Sequence, residues 1–592
     1  MSAIWGIAAP KINPCVRDIF DKMSIVMPFS KSHFVKTMDF GQVLLGHSTI
    51  GTIHKKGFSV ECQDINFTAI CGMPIWEGPK NINEKIGFVC DDRDHDLKIL
   101  DWALKNDRLS DVGGVYAFAS WSPKIKNLML GTDRLGFRSL YYHYDEGENT
   151  LYFSSRLRGL LTIKSLRNNI DFRTVHEFLK FGHPLGNSTF YSQVKLISPG
   201  SCLEYDLTAV REREYWNIGN IPIDHSMSYQ DAVESNAAAL KNSIARRVGH
   251  CKNLQTLLLL SGGADSRRIA GELALQGVAF ETFTTRGFAE KDSEEAIAAE
   301  VARALGVKNH FVDLPMEGFI KNYWSRANEL NDFECCLHQW LLPLAESLPP
   351  GDFVNYDGIA GDTLIEGVFR SSGFADAERF NLVNSSDIHT KASKIIGNPL
   401  QLSFLKKEIA EKIYAESLFD SVVDNLNKYS NSENQLTLFF LMNRTRRSIA
   451  LASGRILQGK IETLYPFLDI DVLYSSLSVP YKHRMKHTLR KDIVNFAYPE
   501  LGKIPYTQYK TQIKNYSKNL KHEYRKEKNY QIRKNIEKYV FCPDSLFKMS
   551  FYPKFVTRYA LSYLGKNHPP YELGLTFQIF YEWFKKGGYK IS

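Results

Sequence analysis

The stretch Leu257-Leu-Leu-Leu-Ser261-Gly262-Gly263-Ala264-Asp265-Ser266 joins a short apolar run to a segment with helical spacing. Two adjacent glycines let backbone N–H groups close around an anion, because no Cβ stands in the way. The helix that follows adds the positive end of its dipole. The stretch therefore predicts a phosphate-binding loop between a strand and a helix. Its candidate nucleotide contacts are Leu260, Ser261, Gly262, Gly263, Asp265 and Ser266.

Asp265 is an unusual neighbour for a phosphate, because like charges repel each other. A carboxylate in this place indicates a Mg²⁺ ion that bridges to the phosphates, so we expect Asp265 to be a metal ligand. The loop lacks the Gly-Lys-Ser/Thr ending of a Walker loop, which disfavours a kinase or a GTPase. A structural turn with Asp and Ser as caps is the simpler alternative.

Strands and helices alternate on both sides of this loop. The predicted order is a helix at 231–248, a strand at 254–260, a helix at 267–275, a strand at 280–285, a helix at 293–305 and a strand at 310–314. Such alternation predicts a doubly wound parallel sheet with crossover helices. From about residue 375 the chain is predicted to be largely helical.

The first third of the chain has a different pattern. Short segments at 41–47, 114–121, 127–131 and 150–154 are rich in β-branched and aromatic residues and are bounded by Gly, Pro, Asp and Asn. They read as strands. We therefore predict an α/β protein of two domains, a β-rich domain at 1–212 and a parallel-sheet domain at 225–592. The boundary is expected in the polar stretch 213–229.

Composition narrows the class of protein. The 592 residues are 44% hydrophobic and 23% charged, which is typical of globular domains and not of disordered chains. The nine cysteines form no CxxC pair, so we expect buried thiols in a reducing compartment. No signal peptide is recognised, and the most apolar run, 254–260, is too short to span a bilayer. A cytoplasmic protein with no membrane partner is the expectation.

Several motifs together resemble the asparagine synthetase family of ATP-pyrophosphatases, which cleave ATP between the α and β phosphates. The phosphate loop is similar to the family's PP-loop. Asp133-Arg-Leu-Gly-Phe-Arg-Ser-Leu-Tyr-Tyr142 resembles an Asp-X-Leu-Gly-X-X-Pro-Leu-Tyr-Tyr block, with Ser139 in place of the proline. Tyr465-Pro-Phe-Leu-Asp469 and Lys486-His-Thr-Leu-Arg490 are similar to its C-terminal blocks. The resemblance implies an N-terminal-nucleophile (Ntn) hydrolase-like β-sandwich followed by a PP-loop synthetase domain.

The resemblance also implies site residues in a second loop, Asp357-Gly-Ile-Ala-Gly-Asp362. Its last residue, Asp362, would hold Mg²⁺ together with Asp265, and Gly358 would lie against the nucleotide. Two carboxylates that fix a metal beside a leaving pyrophosphate make chemical sense. The simpler alternative for Asp362 is an N-cap of the following helix.

Further positions follow from the family pattern. Lys486 would contact the phosphates, where a compact ammonium is suitable, although a solvated lysine is the simpler alternative. Thr284 would line the adenine pocket or belong to a plain surface loop, and Glu294 is a weaker candidate for a metal or pyrophosphate contact. Arg490 would assist at the site or pair with Asp469, for which a structural cap is an equal alternative.

Departures from the family pattern in both domains limit the function. The centre of the second loop carries Ile359, where amide-forming relatives have Glu or Tyr, so the residue that serves as base is open. Ser2 stands where the family's glutaminase has its nucleophilic cysteine, and a serine ionises far less readily. The family's Arg-His-Arg-Gly-Pro-Asp and Asn-Gly-Glu-Ile-Tyr-Asn blocks are replaced by 27–32 and by 75–77 or its neighbours. We expect an inactive glutaminase domain.

The expected reaction is activation of a carboxylate by ATP and Mg²⁺ and its transfer to an amine, with asparagine as the product if the amine is ammonia. A lasso-peptide macrolactam cyclase or a β-lactam synthetase is an alternative within the family. An RNA-modifying PP-loop enzyme is disfavoured, although Lys518 to Lys538 is basic with interleaved tyrosines. A non-catalytic ATP-binding protein is a further alternative. The expected partners are the carboxylate and the amine, with a homodimer or a partner protein on the first domain.

Overall fold

The computed structural model describes residues 2–30, 33–51, 58–60, 66–79, 95–252, 254–286, 294–313, 323, 325–335, 338, 340–348, 352–366, 382–400, 402, 405–457, 460–485 and 488–506. Three sequence-based predictions lie outside these residues. They are the role of Lys486, the basic interval from Lys518 to Lys538, and the helical structure beyond residue 506.

Seventeen strands occur in the described part of the chain. They are β1 (Ala3–Ala8), β2 (Phe34–Asp39), β3 (Val43–Thr49), β4 (Phe58–Val60), β5 (Phe67–Trp76), β6 (Val112–Ser122), β7 (Asn127–Thr132), β8 (Tyr141–Asp145), β9 (Thr150–Ser154), β10 (Lys195–Leu196), β11 (Ser201–Tyr205), β12 (Val210–Glu214), β13 (Gln255–Leu259), β14 (Phe280–Arg286), β15 (Asn309–Asp313), β16 (Phe353–Tyr356) and β17 (Glu462–Leu464).

The described α-helices are α1 (Pro14–Val26), α2 (His95–Lys105), α3 (Leu157–Leu160), α4 (Phe172–Phe181), α5 (Tyr229–His250), α6 (Ala264–Leu275), α7 (Glu294–Leu305), α8 (Ser325–Leu330), α9 (Leu341–Ser347), α10 (Gly361–Glu366), α11 (Ile388–Ile396), α12 (Lys407–Tyr414), α13 (Leu418–Asn427), α14 (Gln435–Phe440), α15 (Leu451–Leu457), α16 (Ile470–Leu477), α17 (Tyr481–Arg484), α18 (Leu489–Ala497) and α19 (Pro499–Gly502). A π-helix, Leu441–Ala450, continues α14.

The first twelve strands form two six-stranded antiparallel sheets, with the orders β10-β8-β9-β1-β3-β2 and β12-β11-β7-β6-β5-β4. Apolar side chains from both sheets, including Ile4, Leu45, Ala117 and Leu130, form one buried cluster between them. Helices α1 and α4 pack on the outer face of the first sheet and α2 on that of the second. This is a sandwich of two sheets covered by helices, which confirms the predicted Ntn-type architecture.

The remaining strands form a parallel sheet of order β15-β14-β13-β16-β17. Strand β13 is central and continuously apolar at Leu257 and Leu258, as expected for a strand covered on both faces. Helix α6 returns the chain from β13 to β14, whereas β16 lies on the opposite side of β13. The strand order therefore reverses between β13 and β16, which is the point where ligands bind in sheets of this kind. The predicted parallel sheet is confirmed.

One hydrophobic core extends across both halves of the molecule. It contains Met73, Val115 and Phe137 from the sandwich together with Leu240 and Leu258 from the parallel-sheet half. The predicted domain limits remain predictions, since this core joins the two halves. None of the helices in the described part of the chain combines the length and the hydropathy that crossing a bilayer requires.

Candidate active site

Two loops leave the parallel sheet side by side. The first follows β13 and leads into α6, and the second follows β16 and leads into α10. Because β13 and β16 are adjacent and parallel, both loops emerge at the same edge of the sheet. This edge holds the phosphate loop and the second loop, the two stretches that the sequence singled out. The fold thus brings together residues that are about a hundred positions apart in the chain.

The first loop is closed by its two serines. The hydroxyl oxygens of Ser261 and Ser266 are 3.0 Å apart, and the Ser261 N–H donates to Ser266 Oγ at 3.1 Å. The Gly263 N–H donates to Ser261 Oγ at 3.3 Å, and Gly263 is the N-cap of α6. Both hydroxyls therefore lie at the positive end of a twelve-residue helix. Leu260 and Gly262 are buried behind them.

The second loop packs directly on Asp265. A Cβ at Gly361 would lie 2.6 Å from Asp265 Cγ, and one at Gly358 would lie 3.0 Å from Asp265 Cβ. Both positions therefore require glycine, because a larger residue would displace the carboxylate. Ala360 between them has φ of +75°, a left-handed conformation that side chains rarely adopt. Such strain persists only where surrounding contacts hold it, and it occurs most often at functional sites.

The two candidate metal ligands come together at this contact. Asp265 is in the first turn of α6 and Asp362 in the first turn of α10. The side chain of Asp362 is exposed, and its Oδ1 accepts from the Thr363 N–H at 2.7 Å. Burial raises the pKa of Asp265, and the negative charge of Asp362 raises it further. The carboxylates are thus close enough to repel each other, as in a site that a cation completes.

Arg490 is the counter-charge for Asp265 in this structure. Its guanidinium donates to both carboxylate oxygens of Asp265, at 2.7 Å and 3.2 Å, and to Glu366 at 3.3 Å. It therefore connects the start of α6 to the end of α10. Of the two alternatives for Arg490, a place at the site or a pairing with Asp469, the pairing with Asp469 is not formed.

Asp469 has other partners. It accepts from Arg247 at 2.7 Å and from Arg246, and it is the N-cap of α16. The structural role that was weighed for Asp469 is therefore the one it has. Both arginines belong to the 22-residue helix α5.

Asp357 begins the second loop and is the acid nearest in sequence to Ile359. Its carboxylate accepts from the Ser453 hydroxyl at 2.9 Å and from the Ile359 N–H at 3.1 Å. Burial raises the pKa of Asp357 to about 6, and the two hydrogen bonds oppose this. The side chain of Ile359 is buried, so it closes the loop against the core and provides no proton acceptor.

The other predicted nucleotide contacts have structural partners. Thr284 is buried in β14, and its hydroxyl donates to the Leu260 carbonyl at 2.9 Å, which fixes the end of β13. Glu294 is the first residue of α7 and is half-buried. Lys486 is outside the described residues. Arg490, expected either at the site or paired with Asp469, lies beside Asp265.

The hydroxyl, backbone N–H and carboxylate groups at this edge of the sheet are of the kinds that bind a nucleotide together with Mg²⁺. Two hydroxyls and a helix N-terminus face the same side as two carboxylates, and hard oxygen ligands are those that Mg²⁺ prefers. The close packing of Gly358 and Gly361 leaves Asp265 in a fixed position beside Asp362. The residues therefore fit ATP with Mg²⁺, with Ser261 and Ser266 toward the phosphates and the carboxylates toward the metal.

A second centre lies in the sandwich at Ser2, the first residue before β1. Ser2 has no exposed surface. Its Oγ accepts from the Gly72 N–H at 3.1 Å, and its carbonyl accepts from the Cys71 thiol at 2.7 Å. Cys71 and Gly72, the residues that bond to Ser2, are neighbours of the 75–77 segment. Glu77 lies between the two halves of the molecule, beside Arg134 and 3.7 Å from Arg247.

Comparison with known proteins agrees with this architecture. A family model described as a glutamine amidotransferase domain matches residues 100–216, and one described as asparagine synthase matches residues 236–332. Both matches support an asparagine synthetase-type superfamily for this chain. The family is one of ATP-dependent amide-forming ligases. The matched synthase region includes the whole first loop and α6.

Individual relatives in this superfamily are distant. Asparagine synthetase [glutamine-hydrolyzing] 3 of Bacillus subtilis (strain 168) is 21% identical over 422 residues, which are 67% of this chain and 66% of the relative. Asparagine synthetase [glutamine-hydrolyzing] 1 of the same organism is 26% identical over 35% of this chain and 32% of the relative. Amidase chyE of Penicillium rubens is 25% identical over 36% of this chain and 34% of the relative. The chain spans about two thirds or less of the length of these relatives.

Proposed function

We propose that this protein activates a carboxylate with ATP and transfers it to an amine, forming an amide, AMP and pyrophosphate. The observation that carries the proposal is the meeting of Asp265 and Asp362 at the edge of the sheet where strand order reverses. The names of the relatives support the same class of reaction.

The residues of the chain have separate tasks in this proposal. Ser261, Ser266 and the N-terminus of α6 bind the phosphates. Asp265 and Asp362 hold Mg²⁺, which when bound offsets charge on the leaving pyrophosphate. Arg490 positions Asp265 by its two hydrogen bonds.

The amine donor in this proposal is free ammonia or another amine, and not glutamine. Ser2 is fully buried and its hydroxyl already accepts a backbone hydrogen bond. A serine hydroxyl also ionises far less readily than a cysteine thiol, which makes it a poor nucleophile for this task. The proposal thus assigns the sandwich a structural task.

Exchange of labelled pyrophosphate into ATP tests the proposal. The full chain is incubated with ATP, Mg²⁺ and a panel of carboxylates, first aspartate and then related acids and acidic peptides. We expect exchange that depends on one class of carboxylate and that falls at least about a hundredfold in Asp362→Asn, because even second-layer changes at metal sites cost 10- to 100-fold. Asp352→Asn, at an exposed acid just before β16, is the matched control and should retain full exchange. Exchange that survives in Asp362→Asn would refute the assigned site.

A further inference from the structure

A cluster of metal-ligating side chains lies where helix α2 of the sandwich meets helix α5 of the parallel-sheet half. His95 and Asp96 are the first two residues of α2, and His250 is the last residue of α5. Each residue offers one ligand atom, an imidazole nitrogen or a carboxylate oxygen, and these three atoms all lie within 4.8 Å of one another. The fold therefore brings together two histidines and an aspartate from both halves of the molecule.

The contacts within the cluster are already close. His250 Nε2 is 2.7 Å from Asp96 Oδ1. The rings of His95 and His250 are tilted by 35°, and their centroids are 5.2 Å apart. Ligand atoms about 2.0 to 2.2 Å from one tetrahedral Zn²⁺ ion lie about 3 to 3.5 Å from each other. The observed spacing therefore differs from that of a bound ion by roughly an ångström, which rotation of the side chains can supply.

Burial distinguishes this cluster from an ion pair on the surface. Only 4% of the Asp96 side chain and 7% of the His250 side chain are exposed. A carboxylate removed from water in this way is costly unless a positive group compensates it. A protonated His250 can be that group, and a divalent cation bound by both residues compensates the carboxylate with a larger charge. The position of Asp96 therefore favours a cation at this point.

The nearest arginine on α5 does not oppose such a cation. Arg247, one turn before His250, is 2.7 Å from Asp469 and 3.7 Å from Glu77. Its charge is therefore compensated chiefly by Asp469, an acid that does not belong to the cluster.

The neighbouring thiol of Cys251 is outside the ligand set. Its Sγ lies 3.8 Å from Met73 Sδ. Burial and, to a smaller extent, the charge of Asp96 raise the pKa of the Cys251 thiol, so it remains protonated. Because the thiolate is the form that binds metals, we do not count Cys251 as a ligand.

We propose that His95, Asp96 and His250 bind one Zn²⁺ ion that links α2 to α5. Two imidazoles and a carboxylate form a ligand set that Zn²⁺ accepts, with solvent in the fourth position of a tetrahedron. His95 is partly exposed, so solvent has access to this position. Mg²⁺ prefers oxygen ligands, so the chemistry of this site differs from that of the carboxylates Asp265 and Asp362. The site is independent of the adenylation proposed above.

Titration of the full chain with Zn²⁺ tests this site. The chain is first stripped with a chelator, and Zn²⁺ is then added in competition with a chromophoric chelator and in the presence of excess Mg²⁺. We expect wild type to bind one equivalent of Zn²⁺ with a micromolar or lower Kd. His250→Gln, whose amide can still donate to Asp96, should bind it at least about tenfold more weakly, because even changes around metal ligands cost about 10- to 100-fold. No such binding by wild type, or equal binding by His250→Gln, would overturn the proposal.

His310→Gln is the matched control. His310 Nε2 also lies 2.7 Å from a carboxylate oxygen, that of Glu281, but His310 does not belong to the cluster. This variant should bind Zn²⁺ as wild type does, and a loss as large as that in His250→Gln would contradict the assigned ligands. If His250→Gln does not fold, His95→Gln takes its place with the same expected loss, and unaltered binding in that variant would refute the site.

Excess Mg²⁺ separates this site from the one proposed at Asp265. We expect Zn²⁺ to remain bound when Mg²⁺ is present in large excess, and also in Asp362→Asn. Displacement of the Zn²⁺ by Mg²⁺, or its loss in Asp362→Asn, would place the ion on the carboxylates of the loops and would overturn the proposal.

Discussion

The centres at Ser2 and at Asp265 each contain a serine hydroxyl bonded to a glycine N–H, but they differ in their exposure to solvent. At Ser2, the hydroxyl accepts from the Gly72 N–H, the carbonyl accepts from the Cys71 thiol, and Ser2 has no exposed surface. At the loops, 16% of the Asp265 side chain is exposed and Asp362 is open to solvent. A centre that acts on a ligand needs groups that a ligand can reach. We propose from this contrast that the loops are the working centre and that the sandwich supports it.

The largest predicted effect is a loss of stability caused by a substitution at Gly72, beside Ser2. Gly72 has φ of +98°, and a Cβ there would lie 2.2 Å from the Val115 carbonyl oxygen. We expect Gly72→Ala to lower the free energy of unfolding by about 3 to 5 kcal/mol, from backbone strain and overpacking together. Urea unfolding measures this. Gly249→Ala, whose Cβ would meet nothing within 4 Å, is the matched control and should not destabilise the protein.

The next prediction tests whether Arg490 only positions Asp265 or whether Asp265 also binds a metal ion. Arg490→Met removes the cation between Asp265 and Glu366 and leaves a largely buried carboxylate uncompensated. We expect a loss of about 2 to 4 kcal/mol in the free energy of unfolding without Mg²⁺, since breaking a buried pair costs about 3 to 5 kcal/mol. Added Mg²⁺ should restore more stability to the variant than to wild type. Equal responses to Mg²⁺ in the two proteins would argue against a metal on Asp265.

A smaller effect is expected from Asp357 as a function of pH. Its pKa in the folded protein is raised to about 6 from 3.8, so the folded state binds the proton more tightly than the unfolded state does. This contribution to stability is complete below pH 3.8 and is lost as the pH rises to about 6. Because Asp357 is partly exposed, we expect about 1 to 2 kcal/mol rather than the full shift. Asp357→Asn should lack this part of the pH dependence in unfolding measured from pH 4 to pH 7.

The smallest effect concerns the strain in the second loop. Replacing Ala360, with φ of +75°, by glycine removes the left-handed penalty of about 1 to 2 kcal/mol but adds chain entropy to the unfolded state. We expect a net stabilisation of about 0.5 kcal/mol in Ala360→Gly. Ala270→Gly inside α6 is the control and should cost about 1 kcal/mol. Destabilisation by Ala360→Gly would mean that the loop tolerates alanine without strain.

Local patterns predicted the elements of the parallel sheet well. The strand predicted at 280–285 is Phe280–Arg286, and the helix predicted at 293–305 is Glu294–Leu305. The helix predicted at 267–275 begins three residues earlier, at Ala264, because Gly263 caps it. Periodicity and turn residues are properties of neighbouring positions, so the sequence contains them.

Long-range pairings could not be predicted in the same way. The partner of Asp265 is 225 positions away, and the sequence equally allowed Arg490 to pair with Asp469. The same holds for Cys71 and Gly72, which reach Ser2 only because β5 and β1 pack in adjacent sheets.

Pyrophosphate exchange in two parallel variants tests the central claim most directly. Ser2→Ala and Asp362→Asn are compared with wild type under the same conditions, with free ammonia as the amine. The account predicts that Ser2→Ala retains exchange and amide formation, whereas Asp362→Asn loses at least about a hundredfold of the exchange. Loss of amide formation in Ser2→Ala, or full exchange in Asp362→Asn, would contradict the assignment of the two centres.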